Sequence, residues 1–143
     1  MTTEKKTTFY MYSCWTVAMI ATLGSLFFSE VMRFPPCVLC WYQRVFMYPL
    51  TLIFFVGVFQ GPRPTFSFAS PLVTLGWLTA TYHNLLHYKI VPESASPCVQ
   101  GVSCSTVYIN VFGFITIPML SFIAFTILAL LLFLIKKDYS HEK

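Results

Sequence analysis

Four long windows almost empty of charge leave this chain few ways to fold. Phe9 to Phe28, Phe66 to His87 and Gly113 to Ile135 contain no Asp, Glu, Lys or Arg, and Cys40 to Gln60 contains only Arg44, near its start. Each window holds about twenty residues, the length a helix needs to cross roughly 30 Å of hydrocarbon at about 1.5 Å per residue. Together they fill most of the 143 residues. Only 10% of the chain is charged, against about 25% in soluble domains, too little to solvate a globular surface. The expected architecture is an all-α integral membrane protein. Its spans lie at about 9–28, 40–60, 66–87 and 113–135, in one membrane domain over 1–143 with no internal repeat.

The expected connections are about 29–39, 61–65 and 88–112, the last carrying the turn formers Pro92, Pro97 and Gly101. Short connections make consecutive helices antiparallel neighbours, which predicts an antiparallel four-transmembrane-helix bundle of up-and-down topology. Lys5, Lys6, Arg63, Lys136, Lys137 and Lys143 fall on one side of such a bundle, and Arg33, Arg44 and Lys89 on the other. Lys and Arg collect on the cytoplasmic side, so both termini are expected there, with the first and third connections external. The first window is longer than a signal peptide's apolar region, and Phe27-Phe28-Ser29-Glu30 offers no small-residue cleavage site; it is expected to be a retained span. The nine Lys and Arg stand singly or in pairs, which argues against nucleic-acid binding.

Four of the five cysteines then face the oxidising side: Cys37 and Cys40 at the mouth of the second span, Cys98 and Cys104 in the third connection. Cys98 and Cys104 read equally well as a structural staple or as a redox pair. Cys37-Val38-Leu39-Cys40 is less ambiguous, because a ring closed over two residues staples almost nothing and is the spacing of dithiols that open and close. Pro35 and Pro36 end any upstream helix. The dithiol therefore stands near the N-terminus of the second helix, where the macrodipole favours a thiolate. Zinc ligation is the other use of this spacing, but the five residues between Cys98 and Cys104 do not repeat it and the compartment favours oxidation, so no metal site is expected. Cys14, near the cytoplasmic end of the first span, lies some 20 Å or more from these pairs on a regular helix and is expected to be a buried or lipid-facing thiol.

Positions 37, 40 and 44 fall on one helical stripe, which puts Arg44 about one turn below Cys40. An ionisable residue inside a span marks a functional site by default, the bland alternative being a cation that snorkels to headgroups. A guanidinium there would stabilise the Cys40 thiolate and hydrogen-bond a carbonyl oxygen that gains charge on reduction. A lipid-soluble two-electron acceptor, a membrane quinone, meets that requirement. His83 and His87 share a face at the external end of the third span and could hold the second carbonyl or pass protons. Of the two, His87 is the candidate cofactor-binding residue, set against a plain reading as aromatic-belt neighbours of Tyr82 and Tyr88. Pro49 and Pro118 are expected to bend their helices.

The run Pro36-Cys37-Val38-Leu39-Cys40-Trp41-Tyr42-Gln43-Arg44 resembles the disulfide bond formation protein B (DsbB) family, specifically its short-loop branch found in Gram-positive and some other bacteria. The resemblance covers nearly the whole chain, including Gly113-Phe114-Ile115-Thr116-Ile117-Pro118-Met119-Leu120. It implies a bacterial cell-membrane thiol:quinone oxidoreductase. Cys98 and Cys104 would reoxidise an extracytoplasmic thioredoxin-like, DsbA-type thiol oxidase, with Cys98 forming the mixed disulfide. Cys104 would exchange with Cys37 and leave Cys40 as a thiolate facing menaquinone or ubiquinone, with Arg44 as the quinone-side arginine. In long-loop members the second pair is widely separated and flanks a helix lying on the membrane. How the shorter loop reaches Cys37, and whether Thr106 to Phe112 lies on the membrane, the resemblance leaves open. The vitamin K epoxide reductase family also combines four helices, cysteine pairs and a quinone, but carries its quinone-side dithiol late in the chain. A non-enzymatic four-span protein with structural disulfides is the alternative from another class.

Overall fold

The computed structural model describes residues 2–98, 101–107 and 116–141. Among them four long helices form: α1 over Thr3–Leu26, α2 over Val38–Gln60, α3 over Pro62–His87 and α4 over Ile117–His141. A π-helical turn, Phe27–Val31, prolongs α1. No strand occurs among the described residues. Helices α1 and α2, α2 and α3, α3 and α4, and α1 and α4 pack against each other, which closes the bundle into a ring. The four-helix expectation holds.

Three of the helices, as Glu4–Val31, Val38–Gln60 and Ile117–Ser140, are long and apolar enough to cross a membrane. The third is long enough but more polar, because Ser, Thr, His and Asn stand along it. Large apolar side chains such as Ile20, Leu52, Phe59, Phe68 and Phe133 lie on the outside. In water such a surface would aggregate, whereas hydrocarbon solvates it. The chain is a multi-pass membrane protein of the helical class.

Lipid tails are as apolar as leucine, so helices in a membrane associate through close packing and interhelical hydrogen bonds. Helix α3 buries Thr65, Ala69, Val73, Gly76, Ala80, His83 and Leu86, a stripe of mostly small residues. A Cβ added to Gly76 would run into the Phe125 ring of α4, so glycine is what lets these two helices approach. Hydrogen bonds tie the same neighbours. Thr22 and Thr51 hydroxyls meet at 2.9 Å between α1 and α2, the Trp77 indole donates to Thr126 at 3.0 Å, and the Asn84 amide donates to the Pro118 carbonyl at 2.9 Å. Pro118 sits in the first turn of α4, where a helix tolerates proline without losing an interior bond, so it starts that helix where the sequence suggested a bend. Pro49 lies inside α2.

The second connection is shorter than the expected 61–65, because Pro62 at the first position already starts α3. Gly61 alone joins α2 to α3, with φ 96° and ψ 174°, a conformation that a side chain makes costly. After α3 the chain turns through Lys89, makes one 3-10 turn over Glu93–Ala95 and reaches Cys98. The Tyr82 hydroxyl donates to the Ala95 carbonyl at 2.7 Å, which lashes this loop to the end of α3, and within the loop the buried Ser96 hydroxyl accepts the Cys98 amide at 3.0 Å. Gly101, with φ 103°, supplies the tight bend between Cys98 and Cys104. The question of Thr106 to Phe112 falls largely outside the described residues.

Candidate active site

The buried side chains form two clusters. The larger joins all four helices through Met11, Ala18, Leu50, Phe54, Val73 and Phe125, and holds Cys14 fully buried. The smaller, at one end of the bundle, contains Cys37, Leu39, Leu86 and Cys104, with Cys40, Tyr82, Val91 and Cys98 packed on it. The four cysteines of the two pairs thus gather in one place, and Cys14 belongs to the other cluster, the separation expected from its place near the far end of the first span.

Helix α2 creates the first pair's environment. Cys37 is its N-cap, in extended conformation, and the sulfur accepts the Cys40 backbone N–H at 3.4 Å, a role that serine or aspartate side chains usually fill. The two sulfurs stand 3.0 Å apart, within hydrogen-bonding distance. Cys98 and Cys104 form a disulfide with a Cα separation of 5.9 Å. Cys37 Sγ lies within 4.8 Å of both sulfurs of that disulfide, and likewise within 4.8 Å of the Cys40 sulfur and a His83 ring nitrogen. The Tyr82 bond to the Ala95 carbonyl holds the described part of the short loop at this end of the bundle, beside Cys37. With Cys98 bonded to Cys104, Cys37, Cys40 and His83 are the metal donors left in this cluster among the described residues, one short of a closed structural zinc site.

His83, not His87, is the histidine of the dithiol. It is 1% exposed, with Nε2 3.7 Å from Cys37 Sγ and 3.2 Å from the Cys104 carbonyl oxygen, and Nδ1 3.1 Å from the side-chain nitrogen of the buried Gln43. Sequence reasoning named Gln43 only as part of a motif and set His87 above His83. Two buried stripes carry the missing signal. Leu39, Gln43, Met47, Leu50, Phe54 and Gly57 face inward on α2, and the small-residue stripe of α3 continues from Ala80 to His83. A polar residue on an otherwise apolar inward face needs a partner, and here the two partner each other.

The Cys37 thiol is held well below the ordinary cysteine value. The hydrogen bond with Cys40 is the largest cause, burial opposes it, and the hydrogen bond with His83 adds to it. The sequence reading put the stabilised thiolate on Cys40. While both inner sulfurs are free, the donors converge on Cys37 instead. Because its folded value lies below the ordinary one, the thiolate should survive as pH falls. With Cys14 replaced by Ala and the outer pair oxidised, ultraviolet thiolate absorbance should stay nearly constant from about pH 8 down to about pH 6, where an ordinary thiol is almost wholly protonated. A titration midpoint near the ordinary value would contradict the arrangement.

Beside the dithiol a cavity of about 440 Å³ opens between the helices, lined mainly by apolar side chains and reached by Cys37, Cys40, Arg44 and His83. Arg44 is pinned there. Its guanidinium donates to the Ser25 carbonyl of α1 at 3.1 Å and lies 5.4 Å from the Trp41 ring centre, so its charge is held in the bundle wall instead of snorkelling away. Tyr48 Oη, His87 Nδ1 and Thr116 Oγ1 also belong to cavity-lining residues, and each is a buried polar atom without a hydrogen-bond partner among the described residues. Buried polar atoms are rarely left unmatched, and three around one apolar cavity beside a fixed cation mark a place for a flat, mostly apolar ligand with acceptor oxygens. A quinone has that chemistry, and the residues present fit it. His87 lines this cavity and stands apart from the sulfurs.

A family model described as "Disulfide bond formation protein DsbB" matches residues 7–135. The chain belongs to the DsbB family. It is 45% identical over 135 residues to "Disulfide bond formation protein C" of Bacillus subtilis (strain 168), covering 92% of this chain and 95% of the relative. It is 42% identical over 136 residues to "Probable disulfide formation protein C 1" of Bacillus anthracis, with 94% and 97% covered. A "Probable disulfide formation protein" of Metapseudomonas resinovorans is 41% identical over 124 residues, 86% of each chain. No solved structure matches. Membership makes this a disulfide-forming membrane oxidoreductase in general terms, and separates it from the vitamin K epoxide reductase alternative in the way the order of its cysteine pairs suggested.

Proposed function

We propose that this protein is a thiol:quinone oxidoreductase of the cell membrane that reoxidises an extracytoplasmic thioredoxin-like thiol oxidase of the DsbA type. The observation that carries the reading is the position of Cys37, whose sulfur is within 4.8 Å of both outer-pair sulfurs and which lines the Arg44 cavity with Cys40. The termini lie in the cytoplasm and both cysteine pairs face outward, following the Lys and Arg bias of the flanks.

The relay is a sequence of thiolate attacks on disulfides. A partner thiolate attacks Cys98, and Cys104 leaves as a thiolate. Cys104 attacks Cys37 of the inner disulfide, forming a Cys104–Cys37 bond and releasing Cys40. The second partner thiol displaces Cys98 and leaves the partner oxidised. Cys98 then attacks Cys104, which restores the outer disulfide and frees Cys37. The inner pair now holds two electrons. A quinone in the cavity, menaquinone or ubiquinone, would supply the two-electron acceptor that lets the inner disulfide re-form, the two thiol protons leaving with the electrons. Within the cavity Arg44, Tyr48, His87 and Thr116 would hold the acceptor's oxygens, and the apolar wall would exclude water.

Purified protein mixed with a reduced thioredoxin-like oxidase and a soluble quinone analogue should bleach one quinone for each two thiols lost. Thiol loss without bleaching would leave a thiol exchanger and remove the quinone from the mechanism. Intact mass before and after alkylation, taken without reductant, should show one disulfide or two and no added zinc.

A further inference from the structure

We propose that His83, set by Gln43, is a catalytic hydrogen-bond donor that couples the two cysteine pairs, one N–H serving both the Cys104 carbonyl and the Cys37 sulfur. This rests on the relay proposed above and assigns a step within it. The geometry decides which ring nitrogen carries the proton. A carbonyl oxygen only accepts, so the contact of 3.2 Å between Nε2 and the Cys104 oxygen requires a hydrogen on Nε2. In the neutral ring Nδ1 is then a lone pair, and the Gln43 side-chain nitrogen 3.1 Å away is placed to donate to it. The same Nε2–H stands 3.7 Å from Cys37 Sγ. A buried amide thus fixes the tautomer, and the ring holds the outer loop by its backbone while facing the inner sulfur.

Both halves of the inter-pair transfer use that donor. When the Cys104 thiolate attacks Cys37 and the Cys37–Cys40 bond breaks, the held carbonyl limits how far the Cys104 backbone can swing from its target. When Cys98 attacks Cys104, the Cys104–Cys37 bond breaks and the electron pair leaves on Cys37, where the N–H meets the new thiolate. No proton is gained or lost by the four sulfurs as a set, and the histidine has only to donate a hydrogen bond. A glutamine at this position carries an N–H near the place of Nε2, whereas phenylalanine fills the space with no donor.

The test uses the full chain, quinone-free and with both pairs oxidised, mixed with reduced thioredoxin as the probe, then acid-quenched, alkylated and mapped by mass. A protein probe cannot readily reach Cys37, which is 6% exposed. In the wild type the outer pair should open first and the electrons then pass to Cys37 and Cys40. His83→Phe should slow that second phase about tenfold to a hundredfold, the loss of a hydrogen bond to a charged group, while the first phase reports that the outer pair remains intact. His83→Gln should stay within about threefold of wild type, and Gln43→Met, which frees the tautomer, should slow transfer several-fold. Transfer by His83→Phe at the wild-type rate would overturn the proposal, as would a glutamine variant as slow as phenylalanine. If His83→Phe does not fold, wild-type transfer by Gln43→Met overturns it equally. A wild type whose outer pair opens while its inner pair stays oxidised would instead bring down the relay itself.

Discussion

Replacing Cys40 with serine is expected to reduce thiol-driven quinone reduction by about a thousandfold or more, since removing one member of a catalytic unit commonly costs that much. The inner disulfide cannot form without its second sulfur, and two electrons then have no route from sulfur to the cavity. The expected damage is selective. Cys37 keeps its place as N-cap, and its sulfur stays within 4.8 Å of Cys98 and Cys104. Mass mapping without reductant should therefore find part of the population with Cys37 bonded to Cys104 and Cys98 free. Serine is close in size to cysteine, so the bundle should persist. Quinone turnover by this variant near the wild-type rate would sink the assignment of Cys40 as the sulfur from which electrons leave.

Arg44→Met should raise the apparent quinone KM about tenfold to a hundredfold, as expected for losing a charged donor to an acceptor oxygen, and change the partner's KM by less than about twofold. Methionine preserves most of the length and apolar packing, so the comparison isolates the guanidinium. Arg44→Lys should fall between, because an ammonium keeps the charge but not the planar fork that donates to Ser25 and stacks near Trp41. The split between the two KM values is what matters. Equal losses toward quinone and partner would mean that Arg44 chiefly joins α2 to α1 and has no particular part in the cavity.

Much of the site was legible in the sequence. Cys37 and Cys40 were assigned from a two-residue gap behind two prolines, and the structure makes Cys37 the N-cap with its sulfur on the Cys40 N–H. Arg44 followed from helical spacing, since residues three and four apart share a face whatever the helix packs against. His83 was harder. Its value comes from Gln43, forty positions away on another helix, and from a backbone carbonyl in the third connection. Nothing local to Tyr82-His83-Asn84 announces either partner. The orphaned atoms of Tyr48 and Thr116 were invisible for the same reason, being polar groups on separate helices that matter only because one cavity collects them.

The sequence by itself determined the solvent, the number of helices, the dithiol spacing of Cys37 and Cys40 and the cation below it. These follow from charge content, window length and spacing along one chain, which act over a few turns at most. Only the tertiary structure decided that the outer disulfide stands beside Cys37, that His83 and not His87 stands at the dithiol, and that donors converge on Cys37 while the inner pair is reduced. The physical reason is that reactivity at a sulfur depends on neighbours within about 4 Å, and packing four helices draws those neighbours from segments that the sequence keeps far apart.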